Sequence, residues 1–258
     1  MAMRGLSMIL FALAAGIALS QEASRPAFEV ISVKPSAMQG GQYGMGMATF
    51  PGGRIRANMV KLDYFISLAF DIQMFQVVGG PQWIHDDRWD IEAKPPQGSK
   101  ASQANPRLWK LPPNEDQRVM MQSLLADRFH MGWHRETKEG AVFFLVKTDK
   151  LKLRDAADKE DYPWVGTARS TGPGLWGLNA TMPLLARRLS ELLARPVIDH
   201  TGIEGAFDFD FELDRSWDSW DATSAALASV QGIGLKLEAG KGPVETVVVD
   251  TIERPSAN

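Results

Sequence analysis

The chain has 258 residues, 45% hydrophobic and 23% charged, with a formal net charge of −3, values that suit a globular protein with one generous core or two smaller ones. With no cysteine it has no disulfide, no thiolate nucleophile and no thiolate metal site. Its mildly acidic balance repels polyphosphates, which argues against non-specific nucleic-acid binding.

Residues Met1 to Ser20 stand apart. Arg4 supplies a positive start, Met8 to Leu19 is an uncharged apolar run, and Ala18 and Ser20 place small residues before Gln21. This is the pattern of a secretory signal peptide. The run falls short of the ~20 residues that span a bilayer, and no later segment is apolar enough to do so. The expected mature chain is exported, to the periplasm or beyond. It keeps 27 Lys and Arg against 31 Asp and Glu, a net charge of −4.

Phe28 to Val33 alternates with period two and predicts a first strand, ended by Pro35. Gly40 to Met47, rich in Gly and Met, lacks periodicity and reads as a loop. Thr49 to Ala57 reads as a hairpin turning at Pro51-Gly52-Gly53. Leu62, Phe65, Ile66, Ala69 and Phe70 then fall on one stripe of a helix. A short strand (Phe75 to Val78), a turn (Gly79-Gly80-Pro81) and a strand (Arg88 to Ala93) follow. Pro95 to Pro113, rich in Pro, Ser, Gln and Asn, is expected to be a linker.

Asn114 and Gln117 outline a capping box before the helix stripe of Met121, Leu124 and Leu125. Phe129, Met131 and Trp133 alternate as a strand, Thr137 to Gly140 is predicted to turn, and Val142 to Lys147 to return. Asp155 to Gly174 reads as a second linker. Met182, Leu185, Ala186 and Leu189 repeat the stripe of the first helix. Pro196 to Ile198 is a short strand, Thr201 to Gly205 a turn and Phe207 to Leu213 a long strand. A last helix, Thr223 to Gln231, is closed by Gly232. Ile233 to Leu237, a turn at Lys241-Gly242-Pro243 and Val244 to Ile252 complete the series.

Read together, these are four helix-plus-β-hairpin units in two pairs. A strand before each odd-numbered helix (Arg54 to Ala57, Leu175 to Leu178) makes each pair contain the split β-α-β order of ferredoxin-like folds. The expected class is therefore α+β: two ferredoxin-like sandwich lobes with largely antiparallel sheets, at 27–157 and 175–256. The alternative is one continuous α+β domain with a coincidental repeat.

Several stretches resemble a large uncharacterised family of exported proteins from soil bacteria. They are Phe28-Glu29-Val30 with Ser32 to Pro35, PGGRIRA (51–57), GGPQW (79–83) with RWDI (88–91), and LLADRFHMGWHRE (124–136). ARPVIDHTGIEGAFDF (194–209) and the tail GPVETVVVDTIERPSAN (242–258) are the most distinctive. The resemblance implies export and a domain of unknown function, attached in some members to membrane-bound sensor peptidases. It implies no catalytic residues. The repeated units also look distantly like the N-terminal interaction domains of secretins and TonB-dependent receptors, a likeness of fold alone.

No motif fixes a chemistry. His130 and His134 have the spacing of a helical metal pair, but the surrounding alternation predicts a strand, where four residues span ~13 Å. Asp208, Asp210 and Glu212 lie on one face of a strand whose other face is Phe207, Phe209 and Phe211. That file suits Ca²⁺ or a basic partner, or simply solvent opposite a core. Asp199-His200 offers an acid and a base without a nucleophile, and Asp199 before Thr201-Gly202 suits a turn. Trp83, Trp89 and Trp133 are expected in the core, whereas Trp109, Trp164, Trp217 and Trp220 lie in polar segments and are candidates for recognition.

No cofactor or metal is expected. The favoured function is a non-enzymatic binding, interaction or sensor module of the envelope, meeting a protein or a glycan. The alternatives are an exported hydrolase with a site between the lobes, drawing on Asp199, His200 or His130, and a carbohydrate-binding protein.

Overall fold

The computed structural model describes residues 25–37, 45–103, 112–158, 162–169, 172–212 and 222–255. The chain runs β1 (Val30–Pro35), β2 (Gly46–Thr49), β3 (Ile55–Lys61), α1 (Leu62–Phe70), β4 (Val77–Gly79), α2 (Trp83–Asp86), β5 (Arg88–Lys94), α3 (Glu115–Phe129) and β6 (Gly132–Lys147). It continues with β7 (Arg154–Asp155), β8 (Trp164–Arg169), β9 (Gly172–Ala180), α4 (Met182–Leu193), β10 (Val197–Asp199), β11 (Phe207–Glu212), α5 (Ala222–Gly232) and β12 (Leu235–Thr251). No helix among the described residues is long and apolar enough to cross a membrane.

Local signals account for the helices. The whole predicted stripe of α1 is buried, in a first core with Ile55, Trp89, Ile91, Leu124 and Phe129. The capping box of α3 forms in both directions: Gln117 N donates to Asn114 Oδ1 at 2.8 Å, and Asn114 N to Gln117 Oε1 at 2.9 Å. The stripe of α4 (Met182, Leu185, Ala186, Leu189) is buried in a second core with Leu175, Phe209, Val230 and Leu235. Thr181 caps α4 by accepting the Leu184 N–H.

The sheets depart from expectation. Neither β6 nor β12 turns: each is one long strand, and they pair antiparallel from Leu235 opposite Lys147 to Thr251 opposite Gly132. Residues expected to make two turns face each other across this ribbon, Glu139 opposite Pro243 and Gly140 opposite Gly242. One continuous ladder replaces two short hairpins, each marginal in water by itself. Gly and Pro permitted turns here but did not require them.

The ribbon joins the two halves. β4 of the first half lies parallel to β12 of the second (Val77 opposite Val247). Reciprocally, β10 of the second lies parallel to β6 of the first (Val197 opposite Phe143). The central sheet has order β10-β6-β12-β4, flanked by sheets β1-β5-β3-β2 and β7-β11-β9-β8. Adding six to each strand of the first flanking sheet gives the other, and the same step maps the central sheet onto itself in reverse.

The chain is thus a mixed α/β protein with mostly antiparallel sheets. The four hairpin units are not present as expected, and β4 and β6 do not close a ferredoxin-like sheet with β3 and β5. They leave it to build the shared ribbon. The expected linker 155–174 holds β8 and the start of β9, whose pairing partners are distant and leave no local signature.

Candidate binding groove

Asp199 and His200 end β10 and start a turn. Asp199 Oδ1 accepts the Thr201 N–H (2.9 Å) and hydroxyl (2.7 Å), and Thr201 Oγ1 accepts the Ile203 N–H (3.1 Å). The carboxylate is thereby engaged in backbone geometry, as turn chemistry requires. His200 is exposed, its ring stacked on Phe144 with centroids 4.4 Å apart and its N–H on the Leu145 carbonyl. His130 is not on a strand: it caps α3 in the left-handed region, φ 47°, just before β6. Thirteen residues of extended β6 separate Gly132 from Leu145, on the order of 40 Å. His130 and His200 therefore belong to opposite ends of the ribbon. His134 pairs with the Asp250 carboxylate at 2.9 Å on the surface. No cluster that could hold a metal ion occurs among the described residues.

The acidic file of β11 has a structural explanation at one end. Asp208 accepts the Asn179 N–H at Oδ1 and the Ala157 N–H at Oδ2, both at 2.9 Å. These backbone donors, Ala157 foremost and then Asn179, hold its carboxyl below the ordinary value. Asn179 has φ 47° and sits in a bulge where Leu178 and Asn179 oppose Asp208 alone. The first half repeats the device. Met59, φ 51°, sits in the β3 bulge opposite Asp90, whose Oδ1 accepts the Met59 N–H and the Ser36 hydroxyl at 2.9 Å. Asp208 is thus the counterpart of Asp90, a staple for a bulge. Asp210 and Glu212 are exposed beyond it. Trp109, Trp217 and Trp220 lie outside the described residues.

A groove of about 470 Å³ opens between the two halves. The first half contributes Met47 of β2, Tyr64 and Leu68 of α1, and Met74 and Phe75 from the turn before β4. The second contributes Trp164 of β8 with Arg187 and Glu191 of α4. Trp164 is 49% exposed and Met74 42%, although both are large and apolar. The Trp164 ring lies 6.4 Å from that of Trp176. Tyr64 is half-buried, and burial first, then the Glu191 carboxylate, raises its phenol pKa. Tyr162 is likewise raised by burial, against the pull of Arg187. Charges here are paired: Arg187 bonds Asp71, which also meets Arg118 at 3.3 Å, and Arg188 bonds Glu191. The Gln73 amide adds a bond to the Arg187 carbonyl at 3.1 Å, tying the halves together at the groove. The result is an apolar cleft with neutralised rims, of a size that suits a ligand or a short chain segment.

Of these residues the sequence singled out Trp164 alone. Tyr64, Met74, Arg187 and Glu191 are scattered and carry no motif. Also missed was a second acid–imidazole pair, buried Asp63 with His85 Nδ1 at 2.8 Å. Asp63 Oδ1 accepts the Tyr64 N–H too, so the pair ties α2 to the first turn of α1. A carboxylate in that first turn suits the helix dipole.

The family model described as "Protein of unknown function (DUF3738)" matches residues 63–252, well over half of the chain. No curated protein matches, and no solved structure does. The chain belongs to the DUF3738 family.

Proposed function

We propose that this DUF3738 member is an exported, non-enzymatic binding protein of the cell envelope whose groove takes a segment of a partner protein. Export, to the periplasm or beyond, is supported by the leader pattern of Met1 to Ser20 and by the resemblance to exported proteins of soil bacteria. The lobes 27–157 and 175–256 serve as two sides of one unit, tied through the ribbon. The observation that carries the binding function is the groove lining: Met47, Met74, Phe75 and half-exposed Trp164 left open between the halves. Apolar side chains gathered in a cleft with paired charges mark recognition, and methionine adapts to varied partners. A hydrolase built on Asp199, His200 and His130 finds no support, since Asp199 is held in its turn, His200 is stacked on Phe144 and His130 lies at the other end of the ribbon.

A photo-crosslinking residue at Met74, with a control at Lys138 on the exposed ribbon, tests this in envelope preparations. Protein adducts at 74 and none at 138 are expected; equal labelling at both rejects the groove. A glycan stacked on Trp164 is the second reading, favoured by the exposed indole beside Trp176. It predicts no protein adduct and quenching of tryptophan fluorescence by an oligosaccharide. Mass spectrometry of the envelope-purified protein should find Gln21 as the first residue, and retention of residues 1–20 would count against export by cleavage.

A further inference from the structure

Sheet edges expose unpaired N–H and C=O groups, and proteins blunt them with charges, Pro or brevity. Most edges of this chain are blunted so. β1 ends in Lys34 and Pro35, and β7 is two charged residues. The outer sides of the ribbon carry Glu136, Lys138 and Glu139 on β6, and Lys241 and Pro243 on β12. Among the described residues β4 is uncharged but only three residues long, and two longer edge strands differ. β2 has no charge, and β8 has none before its last residue. β2 ends the first flanking sheet and β8 the other, β8 pairing only with β9 among the described residues. Met47 of β2 and Trp164 of β8 both line the groove. Each of these two uncharged edge strands, one from each half, therefore gives a large apolar side chain to the same cleft.

Resting on the groove as the binding site, we infer that its occupant is an extended, uncharged peptide segment that adds to β8 as a strand. Its backbone pairs with the open side of β8, and its alternate apolar side chains enter beside Trp164, Met74 and Phe75. Charge complementarity favours a neutral segment, because the charged residues of the lining, Arg187 and Glu191, are of opposite sign and each is paired, with Asp71 and Arg188. A cleft of about 470 Å³ admits a short stretch of chain and excludes a folded domain.

Selection of random dodecapeptides on the purified protein, followed by titration of a selected peptide in two N-methylated forms, tests this. In a strand, successive N–H groups alternate in direction. Methylation of one alternating set should weaken binding about tenfold or more, the loss of two or so backbone hydrogen bonds, and the other set less than about threefold. Thr167→Lys, which adds a charge to the β8 edge, should weaken binding similarly with unchanged Tm. Should that variant unfold, the methylation contrast on the natural protein decides alone. Equal response to both sets, with binding lost in Trp164→Ala, overturns strand addition and leaves the groove as the site. Failure to select any peptide, binding indifferent to Trp164→Ala, or binding of oligosaccharides in place of peptides overturns both.

Discussion

The two halves are built to one plan, and the places where they agree or differ separate support from function. Each holds a left-handed residue in a bulge, Met59 or Asn179, with an aspartate on the facing strand, Asp90 or Asp208. Each passes from its second helix to its long strand through a left-handed residue, His130 or Gly234. Counted from their helix caps, Lys61 and Thr181, the halves differ where they meet. Six residues on, the first has Ser67 and the second Arg187; ten on, they have Asp71 and Glu191. The bulge and its aspartate are common to both halves, whereas Arg187 at the groove has Ser67 as its counterpart. Symmetry inside the chain thus does the work of sorting that residue type alone does not.

The sharpest way to break that division is at the helix-to-strand junctions. Gly234 has φ 83°, and a Cβ there would fall 2.1 Å from the Lys150 carbonyl oxygen. Gly234→Ala should cost about 3 kcal/mol in urea unfolding, from strain and backbone overlap together. Next come the staples. Asp90→Ala and Asp208→Ala each strand donors that now meet a carboxylate, and each should cost about 2 kcal/mol. A near-silent result in one half would show that the staples are not equivalent.

Asp208 also carries a pH signature. Its folded pKa lies below its unfolded value, so its contribution is complete above the usual carboxylate range, about pH 4, and is lost as pH falls through the folded value. The stability gap between the natural protein and Asp208→Asn should stay constant above about pH 4 and shrink below it. At the other junction the sign reverses. His130→Gly relieves a left-handed histidine and should stabilise by up to about 1 kcal/mol. Smallest of all, Trp164→Ala should change stability by less than about 0.5 kcal/mol, as exposed positions do, while abolishing capture in the groove.

Sequence periodicity reached what is local. The stripes of α1 and α4, the Asn114 capping box and the turn role of Asp199 are set by neighbours within a few residues. The ribbon was out of reach because Gly140 and Gly242 look like turn residues until each is seen opposite the other. β8 was hidden for a related reason: a short edge strand among charges and glycines has no amphipathic pattern. Asp208 looked like part of a ligand-binding file because its partner, Asn179, is 29 residues away. The groove was legible only through Trp164, an aromatic out of place in a polar stretch.

The reciprocal exchange of short strands has a consequence for synthesis. Val77 is paired by Val247, so the first half stays unfinished until almost the entire chain has left the ribosome. At about 5–20 residues per second, those 169 intervening residues take on the order of ten seconds or more. Until then β4 offers an open edge, and such long-range pairing is intrinsically slow to form. The last strand, β12, is thus the stitch that closes the first half.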